Sequence, residues 1–132
     1  MRLSNNFTLE EFERSNTAER LGIPNKAPDA AIDNLRRLCT VLLQPLRDYY
    51  RTPINVYSGY RSLELNTKIG GAEHSQHMQG QAADIYFTGM STLPETVKRY
   101  ALNFDQLIIY RTFVHISYVC PKKNRKQIIY KP

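Results

Sequence analysis

Between residue 29 and about residue 50, the apolar side chains recur with the spacing of an α-helix. They are Ile32, Leu35, Leu38, Leu42, Leu46 and Tyr49, three or four positions apart, which predicts one buried stripe along the helix. Pro45 falls inside this helix and has no backbone N–H, so we expect a kink or a division there. A shorter helix is predicted after Thr8, because Thr8 and Glu11 have the spacing of a capping box.

Beyond Thr52-Pro53 the pattern changes to short apolar segments separated by turn residues. We predict strands at residues 54–57, 82–87, 105–109, 113–118 and 127–130, and helices at residues 62–68 and 94–102. Residues 70–80 are rich in Gly, Ser and polar residues and are predicted to form a loop. Helices come first and mostly antiparallel strands follow. This order favours an α+β fold in which an antiparallel sheet packs against N-terminal helices.

The length and composition suit one domain covering residues 1–132. Hydrophobic residues make up 42% and charged residues 23%, which excludes disordered and low-complexity classes. No apolar stretch approaches the roughly 18 residues that span a bilayer. No apolar run follows Arg2, so we expect no secretory signal and synthesis in the cytoplasm. Cys39 and Cys120 lack the pattern of a disulfide framework. We also expect the protein to be a monomer.

The net charge of +6 is concentrated in a short basic tail. Residues 119–132 contain five basic residues and no acidic one, whereas residues 1–118 contain 13 basic and 12 acidic residues. Such a tail can attract an anionic polymer weakly. The interpretation we favour is that it keeps the last strand soluble and unpaired at an edge of the sheet. Because the body is nearly neutral and no readout motif is present, we expect no nucleic-acid partner.

Three side chains in the second half of the chain are candidate metal ligands: His77, Asp84 and His115. Asp84 lies in an apolar strand, where an unpaired buried carboxylate is unfavourable. A metal ion would account for Asp84 and for His115, which lies in another apolar strand. Two imidazoles and one carboxylate with an open fourth position form the ligand set of a catalytic zinc site, although other divalent ions accept nitrogen and oxygen ligands too.

These residues form part of a longer pattern. It consists of Ser75-x-His77-x-x-Gly80-x-Ala82-x-Asp84, the downstream His115, the block Val56-Tyr57-Ser58-Gly59-Tyr60-Arg61-Ser62, Asn66, and Ile69-Gly70-Gly71-Ala72. The pattern resembles the zinc D-Ala-D-Ala metallopeptidases, which include vancomycin-resistance dipeptidases, phage endolysins and muramoyl-pentapeptide carboxypeptidases. The resemblance extends from Leu42 to Tyr118. It implies the fold shared with the hedgehog signalling domain and one Zn²⁺ per chain, bound by His77, Asp84 and His115.

The resemblance also implies roles for residues around the metal. Arg61 matches the arginine that faces the developing oxyanion, a role that suits a fixed guanidinium beside zinc. The alternative for Arg61 is a buried ion pair with Glu64 or Asp84 that holds the loop. Ser75 matches a position that orders the ligand loop or contacts substrate, and Tyr60 and Ser117 are further candidates for substrate binding.

One position departs from the family pattern. Active members have a glutamate three residues before the last histidine ligand, where it serves as general base, and this chain has Thr112. Loss of a positioned general base typically costs about 10²- to 10⁴-fold in rate. The general base is therefore unassigned, with Glu73 as a weak candidate, and Tyr110 or His74 could stabilise or shuttle a proton.

The function expected from this resemblance is zinc-dependent cleavage of peptidoglycan stem peptides, as a D-Ala-D-Ala carboxypeptidase or as an endopeptidase of the endolysin type. Thr112 supports an alternative, a zinc-bearing cell-wall binding module with little or no hydrolysis. A wall enzyme without an export signal would need delivery of the phage or prophage type, which stays an analogy.

Overall fold

The structure is a computed structural model that describes all 132 residues. Its helices are α1 Leu9–Glu13, α2 Asn16–Leu21, α3 Asp29–Leu38, α4 Gln44–Tyr50, α5 Leu63–Lys68 and α6 Leu93–Arg99. Its strands are β1 Arg2–Ser4, β2 Phe7–Thr8, β3 Asn55–Ser58, β4 Ala82–Tyr86, β5 Gln106–Ile109, β6 Val114–Ser117 and β7 Gln127–Tyr130. Single 3₁₀ turns lie at Gln76–Gln79 and Met90–Thr92. The predicted mixture of helices and an antiparallel sheet is confirmed.

Five of the strands form one sheet in the order β3-β4-β6-β5-β7. All neighbours are antiparallel except β5 and β7, which run parallel. β1 and β2 form a small separate hairpin near the N-terminus. That hairpin was not predicted, because strands of two or three residues are too short to show a periodicity.

Alternation along the strands gives the main sheet two different faces. Ala83, Ile85, Val114 and Ile116 are fully buried or nearly so on one face, within a cluster of 23 buried hydrophobic residues that also includes helical residues such as Leu35. The opposite face presents Asp84 and His115. One face therefore supplies the core, and the other supplies polar side chains.

The long predicted helix is divided, as Pro45 required. α3 ends at Leu38, a π-helical turn covers Cys39–Leu43, and α4 begins at Gln44. In the π turn the backbone N–H of Gln44 donates to the carbonyl of Cys39, five residues earlier. The wider turn accommodates the proline next to it, which has no N–H to continue the ordinary α-helical ladder. Cys39 is completely buried, and burial raises the pKa of its thiol.

Two further findings concern the chain as a whole. The expectation that the last strand is unpaired was wrong, because β7 is hydrogen-bonded along β5, from Gln106 opposite Gln127 to Ile109 opposite Tyr130. It is still the outermost strand of the sheet. No helix has the length and apolar character needed to cross a bilayer.

Candidate metal centre

The pairing of β4 with β6 brings two of the predicted ligands together. Asp84 lies directly opposite His115, and their flanking residues Ile85 and Val114 point to the core face. The His115 Nδ1 atom is 2.9 Å from the Asp84 Oδ1 atom. This contact joins residues 31 positions apart in sequence, and it follows from the register of the two strands.

The third predicted ligand, His77, lies in the 3₁₀ turn before β4. The Ser75 hydroxyl accepts the His77 backbone N–H at 3.2 Å, and Gly80 ends the turn in the left-handed conformation, with φ of 73°. That conformation suits glycine, and a Cβ there would also collide with the backbone of Ala31. The turn is therefore fixed on both sides of the histidine.

The orientation of the His77 ring is set by its Nδ1 atom, which lies 2.7 Å from the carbonyl oxygen of Gly59. A carbonyl only accepts hydrogen bonds, so Nδ1 carries the proton and Nε2 carries the lone pair in the neutral ring. Nε2 faces the Asp84 Oδ1 atom at 3.4 Å. A cation between these two atoms, either a metal ion or the proton of a charged imidazole, would stabilise their approach.

Together the three side chains fit a divalent cation. One ligand atom from each of His77, Asp84 and His115 lies within 4.8 Å of the other two, and the side chains are buried or half-buried. Burial opposes ionisation of Asp84, but the interactions with His115 and His77 outweigh it and hold the pKa of the carboxyl well below its usual range. An ionised carboxylate with two imidazoles is a donor set suited to zinc.

Arg61 lies beside this set on the loop after β3. Its Nη2 atom is 3.8 Å from the Asp84 Oδ2 atom, while Nη1 donates to Asn66 Oδ1 at 2.9 Å and Nε donates to Ser58 at 3.3 Å. Burial lowers the pKa of Arg61, and the charge of Asp84 opposes that change. The guanidinium is thus fixed next to the ligands. The geometry accommodates both the predicted oxyanion role and the alternative ion pair with Asp84, whereas Glu64 is not in contact with Arg61.

A cavity of about 680 Å³ opens onto the three ligands. Its lining includes Arg61, Arg125 and alternate residues of β5. All residues of the ligand loop from Gly71 to Gln76 also line it, except Glu73. Asp84 is the one carboxylate among the lining residues. The site is therefore an open, polar depression on the sheet face opposite the core.

The structure places the three predicted substrate-binding residues in different surroundings. Ser75 lines the cavity. Tyr60 is 8% exposed and lines a neighbouring cavity of about 400 Å³, which meets the first at Arg61 and Asp84. Ser117 is completely buried, where its hydroxyl accepts the Gln106 N–H at 3.0 Å. Of the three, only Ser75 is brought to the cavity that holds the ligands.

The candidates for a general base are also separated. Thr112 lies in the turn between β5 and β6 and lines a different pocket, while its neighbour Phe113 shares the face of His115 and lines the metal cavity. Glu73 is exposed and is not a lining residue. His74 and Tyr110 do line the cavity, and the Tyr110 ring stacks on Phe113 with 4.5 Å between centroids.

A second polar group at the cavity wall is centred on Asp105, which sequence reasoning placed at the start of a strand but did not connect with Arg125. This carboxylate is 1% exposed and accepts hydrogen bonds from Arg125 (Nε 2.9 Å, Nη2 2.8 Å) and from Gln76 Nε2 at 2.7 Å. These hydrogen bonds from Arg125 lower the pKa of Asp105 to about 2 although burial opposes the shift, and Gln76 contributes further. Gln106 also lines the cavity. Strand alternation could have predicted this, because Gln106 lies two residues before Ile108 on the cavity face of β5.

Comparison with known proteins gives two matches. A family model described as Peptidase M15 matches residues 5–117. The zinc D-Ala-D-Ala carboxypeptidase of Streptomyces albus G is 38% identical over 82 residues, which are 61% of this chain. The matched segment is 31% of the length of that relative, so the chain corresponds to about a third of it.

Proposed function

The chain belongs to the peptidase M15 family, and from that membership we propose that it is a zinc-dependent peptidase acting on peptidoglycan stem peptides. The observation that supports this most directly is the group of His77, Asp84 and His115, whose ligand atoms lie within 4.8 Å of one another beside a fixed arginine. The relative from Streptomyces albus G is named a zinc D-Ala-D-Ala carboxypeptidase, which supports the substrate class.

In this proposal His77, Asp84 and His115 hold the zinc ion. Bound zinc would polarise the scissile carbonyl and lower the pKa of the attacking water. Arg61 holds the substrate carbonyl and stabilises negative charge on its oxygen, because its guanidinium is already fixed by Asn66 and Ser58 before substrate arrives. Preorganised donors of this kind avoid reorganisation during the reaction.

We assign the proton transfer to His74. It is the imidazole of the cavity lining that is not itself a ligand, and imidazole is the side chain that most often serves as a general base. Glu73, the sequence-based candidate, is exposed and does not line the cavity, so it would need to move. Tyr110 also lines the cavity, where its hydroxyl can donate a hydrogen bond to substrate.

The fold supports the same proposal at a finer level. The helices that contribute to the main core pack on one face of a mostly antiparallel sheet and the ligands lie on the other, which is the arrangement expected for a hedgehog/DD-peptidase-like domain. The two adjoining cavities that meet at Arg61 and Asp84 extend the site on both sides of the arginine. A site that extends both ways accommodates an internal peptide bond, so we favour endopeptidase over carboxypeptidase action.

One observation supports a second candidate function, a zinc-bearing wall-binding module with little hydrolysis. No carboxylate other than Asp84 lines the metal cavity, and the Thr112 position of the family pattern faces a different pocket. A binding module needs the shaped cavity and the bound ion but no general base.

Digestion of purified peptidoglycan by zinc-loaded protein, with and without chelator, separates the two candidates. Peptidase action predicts chelator-sensitive release of peptide fragments, and mass spectrometry of the fragments identifies the bond. We expect His74→Ala to keep its zinc and to cleave about 10²-fold more slowly, whereas Glu73→Gln cleaves like the wild type. Intact stem peptides in the presence of zinc-loaded protein that pulls down with peptidoglycan would favour the binding module.

A further inference from the structure

The lining of the metal cavity contains a second arginine that the proposed mechanism does not use. Arg125 lies between Tyr118 and β7, in the basic segment of the chain, and lines the cavity together with the three ligands. Its guanidinium is oriented by Asp105 through two hydrogen bonds, Nε to Oδ1 at 2.9 Å and Nη2 to Oδ2 at 2.8 Å. The backbone N–H of Arg125 also donates to Asp105 Oδ1 at 3.0 Å.

These contacts use one edge of the guanidinium and leave the other free. An arginine side chain has five N–H donors, and Asp105 accepts two of them. The Nη1 atom has no partner among the hydrogen bonds of the structure, and the side chain is 54% exposed although it forms a bidentate ion pair. The outer edge of Arg125 is therefore held in place and accessible.

Asp105, in contrast, cannot accept anything from the cavity. Its Oδ2 atom also accepts from Gln76 at 2.7 Å and faces the Ser117 hydroxyl at 3.5 Å, and the residue is 1% exposed. The carboxylate lies behind the guanidinium, so the surface presented to the cavity is made of donors. The one lining carboxylate, Asp84, is engaged by His77, His115 and Arg61.

The position of Arg125 relative to the ligands follows from the strands. Ser117 contacts Asp105 and lies two residues after His115 on the same face of β6. Asp105 in turn holds the Arg125 guanidinium, which lines the same cavity as the three ligands. A peptide bound at the metal centre therefore lies in the cavity that Arg125 lines.

We propose that Arg125 binds a carboxylate of the peptide substrate and selects peptides that carry one. This inference rests on the proposed function for the identity of the substrate. A planar guanidinium with a free edge binds a carboxylate through two parallel charge-assisted hydrogen bonds, which a lysine cannot reproduce. The carboxylate is either the C-terminal group of the peptide or an acidic side chain.

The binding of synthetic peptides to the metal-free protein, measured by NMR titration, tests this inference without requiring catalysis. The first pair of probes is a D-Ala-D-Ala peptide with a free C-terminus and its C-terminal amide. The second pair is a C-terminally amidated peptide with a D-glutamate and the same peptide with D-glutamine. We expect the wild type to bind the charged member of one pair about 10- to 100-fold more tightly, and the pair that discriminates identifies the source of the carboxylate.

Arg125→Gln should bind both members of that pair equally, while Lys122→Gln, which removes the same charge from the same segment outside the cavity, should keep the discrimination. Arg125→Lys should keep only part of it. Because Arg125→Gln leaves Asp105 unpaired, the double variant Arg125→Gln/Asp105→Asn removes both charges and serves as the folded counterpart. Equal binding of both members of each pair by the wild type, or discrimination that persists without Arg125, would overturn the inference.

The outcome is separable from that of the proposed function. Discrimination by Arg125 without any digestion of peptidoglycan would retain the carboxylate site and reject the peptidase. Chelator-sensitive digestion without discrimination would do the reverse.

Discussion

Asp84 lies in β4 and Asp105 directly precedes β5. Both carboxylates are buried, but they differ in how completely their oxygens are hydrogen-bonded. Asp105 accepts four short hydrogen bonds from Arg125 and Gln76, all between 2.7 and 3.0 Å. Asp84 has one short contact, with His115 at 2.9 Å, and longer ones at 3.4 and 3.8 Å to His77 and Arg61. A carboxylate with full partners stabilises the fold, whereas one that faces a second acceptor leaves room for a cation.

The largest expected difference between the two carboxylates is in metal binding. Asp84→Asn removes the anionic ligand while retaining the shape of the side chain, and zinc affinity should fall by more than the roughly 100-fold that outer partners of a metal site contribute. Asp105→Asn should retain zinc. Elemental analysis after dialysis against a competing chelator measures both variants, with circular dichroism to confirm folding. Stoichiometric zinc in Asp84→Asn would remove this residue from the ligand set.

The second difference is in stability of the fold, where Asp105 is expected to contribute more than Asp84. Asp105→Asn leaves the Arg125 guanidinium without its anionic partner and weakens the bond to Gln76, so the free energy of unfolding should drop by about 2 to 3 kcal/mol. The estimate is at the low end for buried pairs because Arg125 is half exposed. Urea unfolding of the metal-free protein measures it, and the exposed Asp33→Asn is the matched control. A change no larger than that of Asp33→Asn would contradict the structural role.

The smallest expected effect is a dependence on pH. The folded-state pKa of Asp105 is about 2, below the value of roughly 3.9 for an unfolded aspartate. The stabilisation is therefore complete above the unfolded pKa and is lost as the pH falls from about 4 through 2, a loss of roughly 2 kcal/mol. In urea unfolding of the metal-free proteins, the difference in free energy of unfolding between wild type and Asp105→Asn should become smaller over this range. If that difference stayed constant from pH 6 to pH 3, ionised Asp105 would not stabilise the folded state.

The surroundings of Asp84 and Asp105 also show how far the sequence could predict the structure. Asp84 and His115 each interrupt an apolar strand, so local pattern was sufficient to single them out as candidate ligands and to place both strands. The interruption of the long helix near Pro45 likewise follows from one residue. These features depend on neighbours within a few positions.

The Asp105–Arg125 pair could not be predicted in this way. Arg125 is one of five basic residues in its segment, and nothing local distinguishes the one that reaches a buried carboxylate 20 positions earlier. The contact depends on β7 adding parallel to β5, a pairing between segments whose own sequence indicates strands but not partners. Thr112 illustrates the same limit, because its spacing from His115 does not reveal that it faces a different pocket.

The register of β4 against β6 has a consequence for the fidelity of folding. Asp84 opposite His115 and Ala83 opposite Ile116 are set by the same alignment, and a slip of one residue would exchange the two faces of β6. Val114 and Ile116 would then face the cavity and His115 the core. A mispaired molecule would lose its metal site and its core together. Zinc retention therefore reports the correct register: in a mixed refolding reaction, the molecules that hold the ion are those in which β4 and β6 have paired correctly.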